Sequence, residues 1–438
     1  MDAIRVIGAG LAGCEAAWAI AQAGVPVELT EMKPGEYTPA HHREGFAELV
    51  CSNSLKAKRL DSAAGLLKEE MRRLGSVCVP AAFACEVPAG GALAVDRDAF
   101  SGAVTARILA HPLITVRRER VDAIPADGIV VVATGPLTAG PLAEDIARLC
   151  GGGLSFFDAA APIVTAESVN MDSAFRASRY GREESGEGDY INCPLNKEEY
   201  EAFHAALAAA ETAPLHEFDQ GGGRKVYEGC MPIEVMAKRG ADAIRFGPMK
   251  PVGLRDPRTG HRPWAVLQLR MENAQGTLFN LVGFQTNLKF GEQKRVFGMI
   301  PALKNAEFIR YGVMHRNTFL DSPRLLTAGY QLRKDPRLFF AGQMTGVEGY
   351  MESAASGLLA GMNAARLYRG QPLLTLPPET MMGALAGYIS GGTTADFQPM
   401  GANFGILPPL EETIRDKRQR YAALAQRALD RLAETTDR

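Results

Sequence analysis

Two cysteines stand where a thiol could do chemistry. Cys51 lies in Glu48-Leu49-Val50-Cys51-Ser52-Asn53-Ser54-Leu55-Lys56, shortly after the polar run His41, His42, Arg43 and Glu44. Cys230 lies in Tyr227-Glu228-Gly229-Cys230-Met231-Pro232, a Gly/Pro-bounded turn inside a basic stretch. A loop thiol beside Lys or His has its thiolate favoured and can act as a nucleophile. The ordinary fate of cysteine is a small buried hydrophobe, and Cys14, Cys78, Cys85 and Cys150 are read that way, with Cys193 left open. The seven cysteines are an odd number with no CxxC pair, which suits neither a disulfide framework nor a zinc site. No metal is expected, and a reducing, cytoplasmic address is.

The second chemical signal is a phosphate cradle. Gly8-Ala9-Gly10-Leu11-Ala12-Gly13 follows the β-favouring run Ile4-Arg5-Val6-Ile7 and opens an alanine-rich helix that Gly24 stops. A second strand, Val25 to Thr30, ends at Glu31, 23 residues after Gly8. Gly8 allows the tight turn, Gly10 lets the backbone approach a pyrophosphate, and Gly13 lets helix pack on strand. The helix N-terminus offers unpaired N–H groups to the phosphates, and the acidic side chain can accept ribose hydroxyls.

Two later strands also end in glycine turns: Ile129 to Ala133 before Thr134-Gly135, and Leu338 to Ala341 before Gly342-Gln343. The latter leads through Gly346 and Gly349 into a helix from about Glu352 to Tyr368. A long flavin needs contacts from both ends of a chain, whereas NAD is usually held by one Rossmann unit, so three such sites favour FAD. A second complete strand–GxGxxG–helix unit for NAD(P)H is missing; Gly151–Gly153 and Gly221–Gly223 read as loops.

These signals predict an α/β fold: a discontinuous Rossmann-type FAD-binding domain (1–160 and 313–438) with an inserted α+β domain (161–312). Gly181 to Asp189 reads as a surface loop, Tyr200 to Ala210 as helix, and Val226 to Phe297, which alternates in places, as sheet. The tail from Pro409 reads as an amphipathic helix with Ile414, Leu424, Leu429 and Leu432 inward. Charged residues at 22% and hydrophobics at 46% are ordinary for a globular protein and argue against disorder. The chain opens on a strand pattern rather than a signal peptide, and no run of about 18 apolar residues predicts a membrane span. The net charge of −2 gives no global basic field, yet residues 221–320 carry 16 Lys/Arg against 7 Asp/Glu, a local +9. Such asymmetry is the footprint of a phosphate-rich partner, with ordinary surface clustering as the alternative.

The segments VIGAGLAGCEAAW (6–18), LTEMKP (29–34), ELVCSNSLK (48–56), EGCMPIE (228–234), GPMKPVGL (247–254), FQTNLKFGEQKRVF (284–297), LFFAGQMTGVEGYMESAASGLLAG (338–361) and FQPMGANFGILP (397–408) run almost end to end. Through them the chain resembles the folate- and FAD-dependent tRNA (uracil-5-)-methyltransferases, the TrmFO family. One departure is Gly401, where asparagine is expected. The resemblance implies that a T-loop uridine (position 54) gains a C5 methyl from 5,10-methylenetetrahydrofolate, with reduced FAD as hydride donor and NAD(P)H regenerating the flavin. The tRNA T-arm is then the partner, with no DNA and no membrane. Carried over by motif, Cys230 would add to uracil C6 and Cys51 would take the C5 proton, although on chemistry alone either thiol could add. The cofactor contacts implied are Gly8, Ala9, Gly10, Leu11, Ala12, Gly13, Glu31, Met32, Lys33, Thr134, Gly135, Gly342, Gln343 and Tyr350.

A base held in a folded T-loop must leave its stack, with phosphates gripped by cations; Lys250, Arg255, Lys289, Lys294 and Arg295 are the candidates. Three alternatives compete. A GidA/MnmG-like wobble-uridine modifier would be longer, with a C-terminal helical extension. A thiol–disulfide flavoprotein reductase would want a second cysteine nearer Cys51 than Cys78. A non-catalytic tRNA-binding flavoprotein would survive loss of both candidate thiols.

Overall fold

In a computed structural model the described residues are 3–151, 154–159, 161–181, 188–213, 231–271, 276–312, 314–391, 397 and 399–436. The β-branched runs form a five-stranded, wholly parallel sheet ordered Leu338–Phe340, Val130–Val132, Ile4–Ile7, Val27–Glu31, Ile114–Arg118. The chain builds outward from Ile4–Ile7 on one side, then returns to add Val130–Val132 and Leu338–Phe340 on the other. That reversal leaves a crevice at the carboxyl ends of the strands, where doubly wound sheets bind ligands. Ile4–Ile7, Val130–Val132 and Leu338–Phe340 are largely buried because helices cover the sheet, so they read as mostly apolar runs without alternation, while the edge strand Ile114–Arg118 is mostly exposed.

Two helices cross over this sheet at unusually close range. Leu11–Gln22 is alanine-rich, and Tyr350–Tyr368 presents Gly357 and Gly361 to it. A Cβ on Gly357 would lie 2.0 Å from the Ala12 carbonyl oxygen, and one on Gly361 2.5 Å from that of Ala16. The four-residue spacing on both helices makes small residues meet small residues, and backbone nearly touches backbone.

A six-stranded antiparallel sheet is built between residues 163 and 310, in the order Phe175–Arg176, Tyr190–Leu195, Ala265–Met271, Leu278–Leu281, Ile163–Thr165, Phe308–Arg310. It has its own apolar core around Phe203, Phe279, Phe284 and Phe297. A ribbon of Leu154–Ala159 with Met314–Phe319 pairs the chain entering and leaving this part.

The sheet reading of residues 226–297 was too broad. Among the described residues there, only Ala265–Met271 and Leu278–Leu281 are strands, while Ile233–Ala237, Ala243–Phe246 and Phe290–Phe297 are helical. Local apolar content in short runs does not separate the two states. The helix read at Tyr200–Ala210 is Lys197–Ala209, which a capping box at Asn196 starts earlier and Ala210 caps. The tail helix begins at Lys417, not Pro409. Pro408 and Pro409 cannot continue a helix, and Asp416 accepts the Gln419 N–H at 2.8 Å to start one. Leu424, Leu429 and Leu432 are buried, and Ile414 lies ahead of the helix. Of the Gly181–Asp189 loop, 182–187 lie outside the described residues, as do Gly152, Gly153 and Gly221–Gly223. Among the described residues no helix is long and apolar enough to cross a membrane.

Candidate active site

The sheet reversal brings the three glycine turns to one crevice. Gly8 adopts φ +96°, and a Cβ there would meet the Ala133 carbonyl oxygen at 2.7 Å, so the first and second turns touch. Gly10 caps the helix Leu11–Gln22, with nothing within 4 Å of where its Cβ would stand. That open space over a helix N-terminus is the cradle a pyrophosphate requires. A Cβ on Gly13 would lie 1.7 Å from the Gly8 carbonyl oxygen, which fixes its role as packing rather than contact.

The crevice holds a cavity of about 360 Å³. Gly8, Gly10, Leu11, Ala12, Glu31, Met32, Lys33, Thr134, Gly135, Gly342, Gln343 and Tyr350 line it; Ala9 and Gly13 lie behind this lining. Ala9 donates its N–H to Glu31 Oε2 at 2.7 Å, and Lys33 donates its own to Oε1 at 3.0 Å. Each carboxylate oxygen keeps a lone pair for a ribose hydroxyl. Lys33 is buried, its Nζ bonded to the Gly45 carbonyl (2.7 Å) and 3.4 Å from Glu48, so its charge is paired within the protein. Open backbone at Gly10, a buried carboxylate at the strand end and a long cleft together fit an extended dinucleotide such as FAD.

Sequence reasoning missed part of this lining: Glu36 to Pro39, His41, Glu48 and Val50, Glu119 to Val121, and Pro136 to Gly140. Most follow directly on strand ends. Only Gly140 among them carries a glycine cue, so the usable signal was the rule that ligands sit at the carboxyl ends of parallel strands.

Cys51 stands at the rim of this cavity, between the lining residue Val50 and Tyr350. The Tyr350 hydroxyl donates to Cys51 Sγ at 3.0 Å and accepts from the backbone N–H of Cys51 (2.7 Å) and Ser52 (3.3 Å). Enclosure of the hydroxyl, then the neighbouring Cys51 sulfur, holds this phenol well above its ordinary range. It therefore stays a donor at neutral pH. Three guanidinium groups secure the same loop. Arg97 donates to the Leu49 carbonyl (2.7 Å), Arg310 to those of Val50 (2.9 Å) and Cys51 (3.4 Å), and Arg270 to Ser52 Oγ (2.7 Å) and Asn53 Oδ1 (3.0 Å). Arg270 and Arg310 come from strands of the antiparallel sheet, which thus reaches the thiol loop.

The other described cysteines behave as packing. Burial pushes Cys14, Cys78 and Cys193 well above the ordinary thiol range and Cys150 up to about 11. Cys85 is raised as well, by burial first and then by Asp96. Cys230 lies outside the described residues. Beside it, Met231 is buried and Ile233 donates to the Gln285 carbonyl at 2.7 Å. Gly401, the departure from the family pattern, lies against the Lys56–Glu352 ion pair (2.6 Å), and Ala402 donates to the same Glu352 oxygen. Lys250, Arg255, Lys289, Lys294 and Arg295 are all exposed, with Lys289 paired to Glu211 and Arg295 to Glu292.

Replacing Tyr350 with phenylalanine removes the donor to the sulfur and two backbone acceptor contacts. A hydrogen bond to sulfur favours the thiolate, so Tyr350→Phe moves the pH profile of Cys51 alkylation to higher pH. Iodoacetamide labelling followed by peptide mapping reads it, and an unmoved profile would show that the hydroxyl only braces the loop.

A family model described as Glucose inhibited division protein A matches residues 3–372. The methylenetetrahydrofolate–tRNA-(uracil-5-)-methyltransferase TrmFO of Desulfitobacterium hafniense is 59% identical over 435 residues, covering 99% of this chain and 98% of that protein. The protein of the same name from Enterococcus faecalis is 58% identical over 428 residues, covering 98% and 97%. Among solved structures, Aquifex aeolicus GidA aligns with a TM-score of 0.72 at 16% identity, over 99% of this chain and 73% of that one, a likeness of fold.

Proposed function

The chain belongs to the TrmFO family, and from that membership we propose that it methylates uracil C5 in tRNA, with 5,10-methylenetetrahydrofolate as carbon donor, FAD in the crevice and the T-loop uridine at position 54 as target. The observation that supports the reading most directly is Cys51, a thiol bonded to Tyr350 at the rim of a dinucleotide cleft. NAD(P)H reducing the flavin, contact with the T-arm, and a cytoplasmic address belong to the same reading.

Uracil C5 is a weak nucleophile until a thiolate adds at C6. In this reading Cys230 forms the S–C6 bond and shifts the C5=C6 pair into an enolate, and C5 then attacks the one-carbon unit. Cys51 then removes the C5 proton as the carbon–nitrogen bond to the folate breaks, its electron pair leaving on the tetrahydrofolate nitrogen and an exocyclic methylene remaining at C5. Once that carbon has gained a hydride, the C6–S bond breaks, restoring C5=C6 and releasing the methylated base. Bound in the crevice, reduced FAD supplies the two electrons that take a methylene carbon to a methyl. Tyr350 keeps the thiol aimed by holding Sγ and the loop N–H groups together, and Arg97 and Arg310 fix the carbonyls of Leu49, Val50 and Cys51.

The test is a T-arm RNA with 5-fluorouridine at the target position, incubated with wild type, Cys51→Ala and Cys230→Ala under methylating conditions. An SDS-stable adduct is expected with wild type and Cys51→Ala and lost with Cys230→Ala. Wild type that holds FAD and RNA yet forms no adduct would overturn the covalent reading and favour a binder or a reductase.

A further inference from the structure

A chain of aromatic rings leads from the core of the inserted sheet to its surface. Buried Phe297 contacts Phe308 (centroids 6.5 Å apart), Phe308 stacks on Tyr311 (5.3 Å, 10° between planes), and Tyr311 stacks on Phe290 (4.8 Å, 15°). The last ring is 55% exposed, and so is Ile309 close by. Leaving a large apolar ring more than half exposed at the end of an ordered stack forgoes much of its burial, so such a ring invites a partner.

The stack is rigid. Gln293, itself fully buried, donates to the carbonyls of Leu288 (2.7 Å) and Gly312 (2.8 Å) and accepts the Gly312 N–H at 2.8 Å. Those residues flank Phe290 and Tyr311, so the helix Phe290–Phe297 and the end of the strand Phe308–Arg310 are clamped together. A ring held this way presents its face with little entropy left to lose. The stack is also next to the chemistry: Arg310, the neighbour of Tyr311, donates to the carbonyls of Val50 and Cys51. Around it lie exposed Lys289, Lys294 and Arg295. The Lys289–Glu211 and Arg295–Glu292 pairs are about half exposed on their cationic side, which leaves them weak and open to exchange for phosphate.

We propose that Phe290 is a stacking platform for an unstacked nucleobase of the tRNA, held beside the Cys51 loop while its phosphates meet Lys289, Lys294 and Arg295. The proposal rests on tRNA being the substrate and adds a binding site for a base to it. Flat heteroaromatics other than a base, the folate pterin above all, share this chemistry, so the test separates them.

The experiment measures the Kd of T-arm RNA by fluorescence anisotropy, with no turnover required, together with the KM for methylenetetrahydrofolate and the flavin absorbance. Base–aromatic stacking is lost on alanine substitution, so Phe290→Ala is expected to weaken RNA binding about tenfold or more. Phe290→Trp keeps it within about twofold, and Phe290→Leu, apolar but ringless, behaves as alanine does. Flavin content and folate KM stay at wild-type values. RNA affinity unchanged in Phe290→Ala overturns the proposal. A raised folate KM with unchanged RNA affinity also overturns it, assigning the ring to the pterin, and so does an affinity that follows apolar size, with leucine as good as tryptophan. Wild type that binds the RNA and never methylates it would sink the functional reading alone.

Discussion

Cys51→Ala is expected to lower the methylation rate constant by roughly a hundred- to ten-thousandfold, the range over which a positioned general base contributes, while FAD stays bound. The thiol is at the cavity rim, and its place is set by Tyr350 and three arginines whose contacts do not need the sulfur. Alanine therefore removes the reactive atom and leaves the loop standing. Tyr350 cannot substitute as base, because its phenol is held well above its ordinary range. A single-turnover assay with pre-reduced flavin checks this, since it isolates methyl transfer from flavin reduction. A rate within about threefold of wild type would mean that another group takes the proton.

Gly357→Val is expected to cost more than about 3 kcal/mol of stability and to yield protein without flavin. A Cβ at this position would lie 2.0 Å from the Ala12 carbonyl oxygen and 2.6 Å from two further Ala12 backbone atoms. Backbone cannot turn aside as a flexible side chain does, so the two helices must separate. One of them has Gly10 at its N-terminus beside the crevice, and the other starts at Tyr350, so separation dismantles both ends of the cofactor site. Thermal melting and the ratio of flavin to protein absorbance read the effect. The control is Gly387→Ala, on an exposed helical face with nothing within 4 Å of the new Cβ, which is expected to be neutral or to stabilise by up to about 1 kcal/mol. If Gly357→Val holds its flavin and melts like wild type, the close crossing is not what supports the site.

Much of the cofactor crevice was legible because the phosphate cradle is local. Turn, helix N-terminus and carboxylate fall within about thirty residues, and each needs a particular residue type whose reason is steric or electrostatic. The lining at Glu36 to Pro39, His41 and Glu119 to Val121 carried no such local constraint. Those residues contact the cavity only because of where the sheet places their loops. The over-broad sheet reading of 226–297 failed for the opposite reason. Short apolar runs suit strand or helix equally, and tertiary packing around Phe284 and Phe297 made the choice.

What the sequence determined by itself is therefore the chemistry on offer: a dinucleotide cradle at Gly8 to Gly13, two thiols in loop contexts, and a family resemblance that runs almost the length of the chain. Its physical basis is short-range, since positive φ, helix-end dipoles and close Cβ approach act over a few residues. Only the tertiary structure decided that Tyr350 reaches Cys51 across 299 positions of sequence, that Arg270 and Arg310 of the inserted sheet grip the thiol loop, and that Phe290 ends a ring stack in solvent. Strand order and the docking of one sheet against another set those contacts, through buried hydrogen bonds and packing summed over many residues, none of which leaves a mark in its immediate neighbours along the chain.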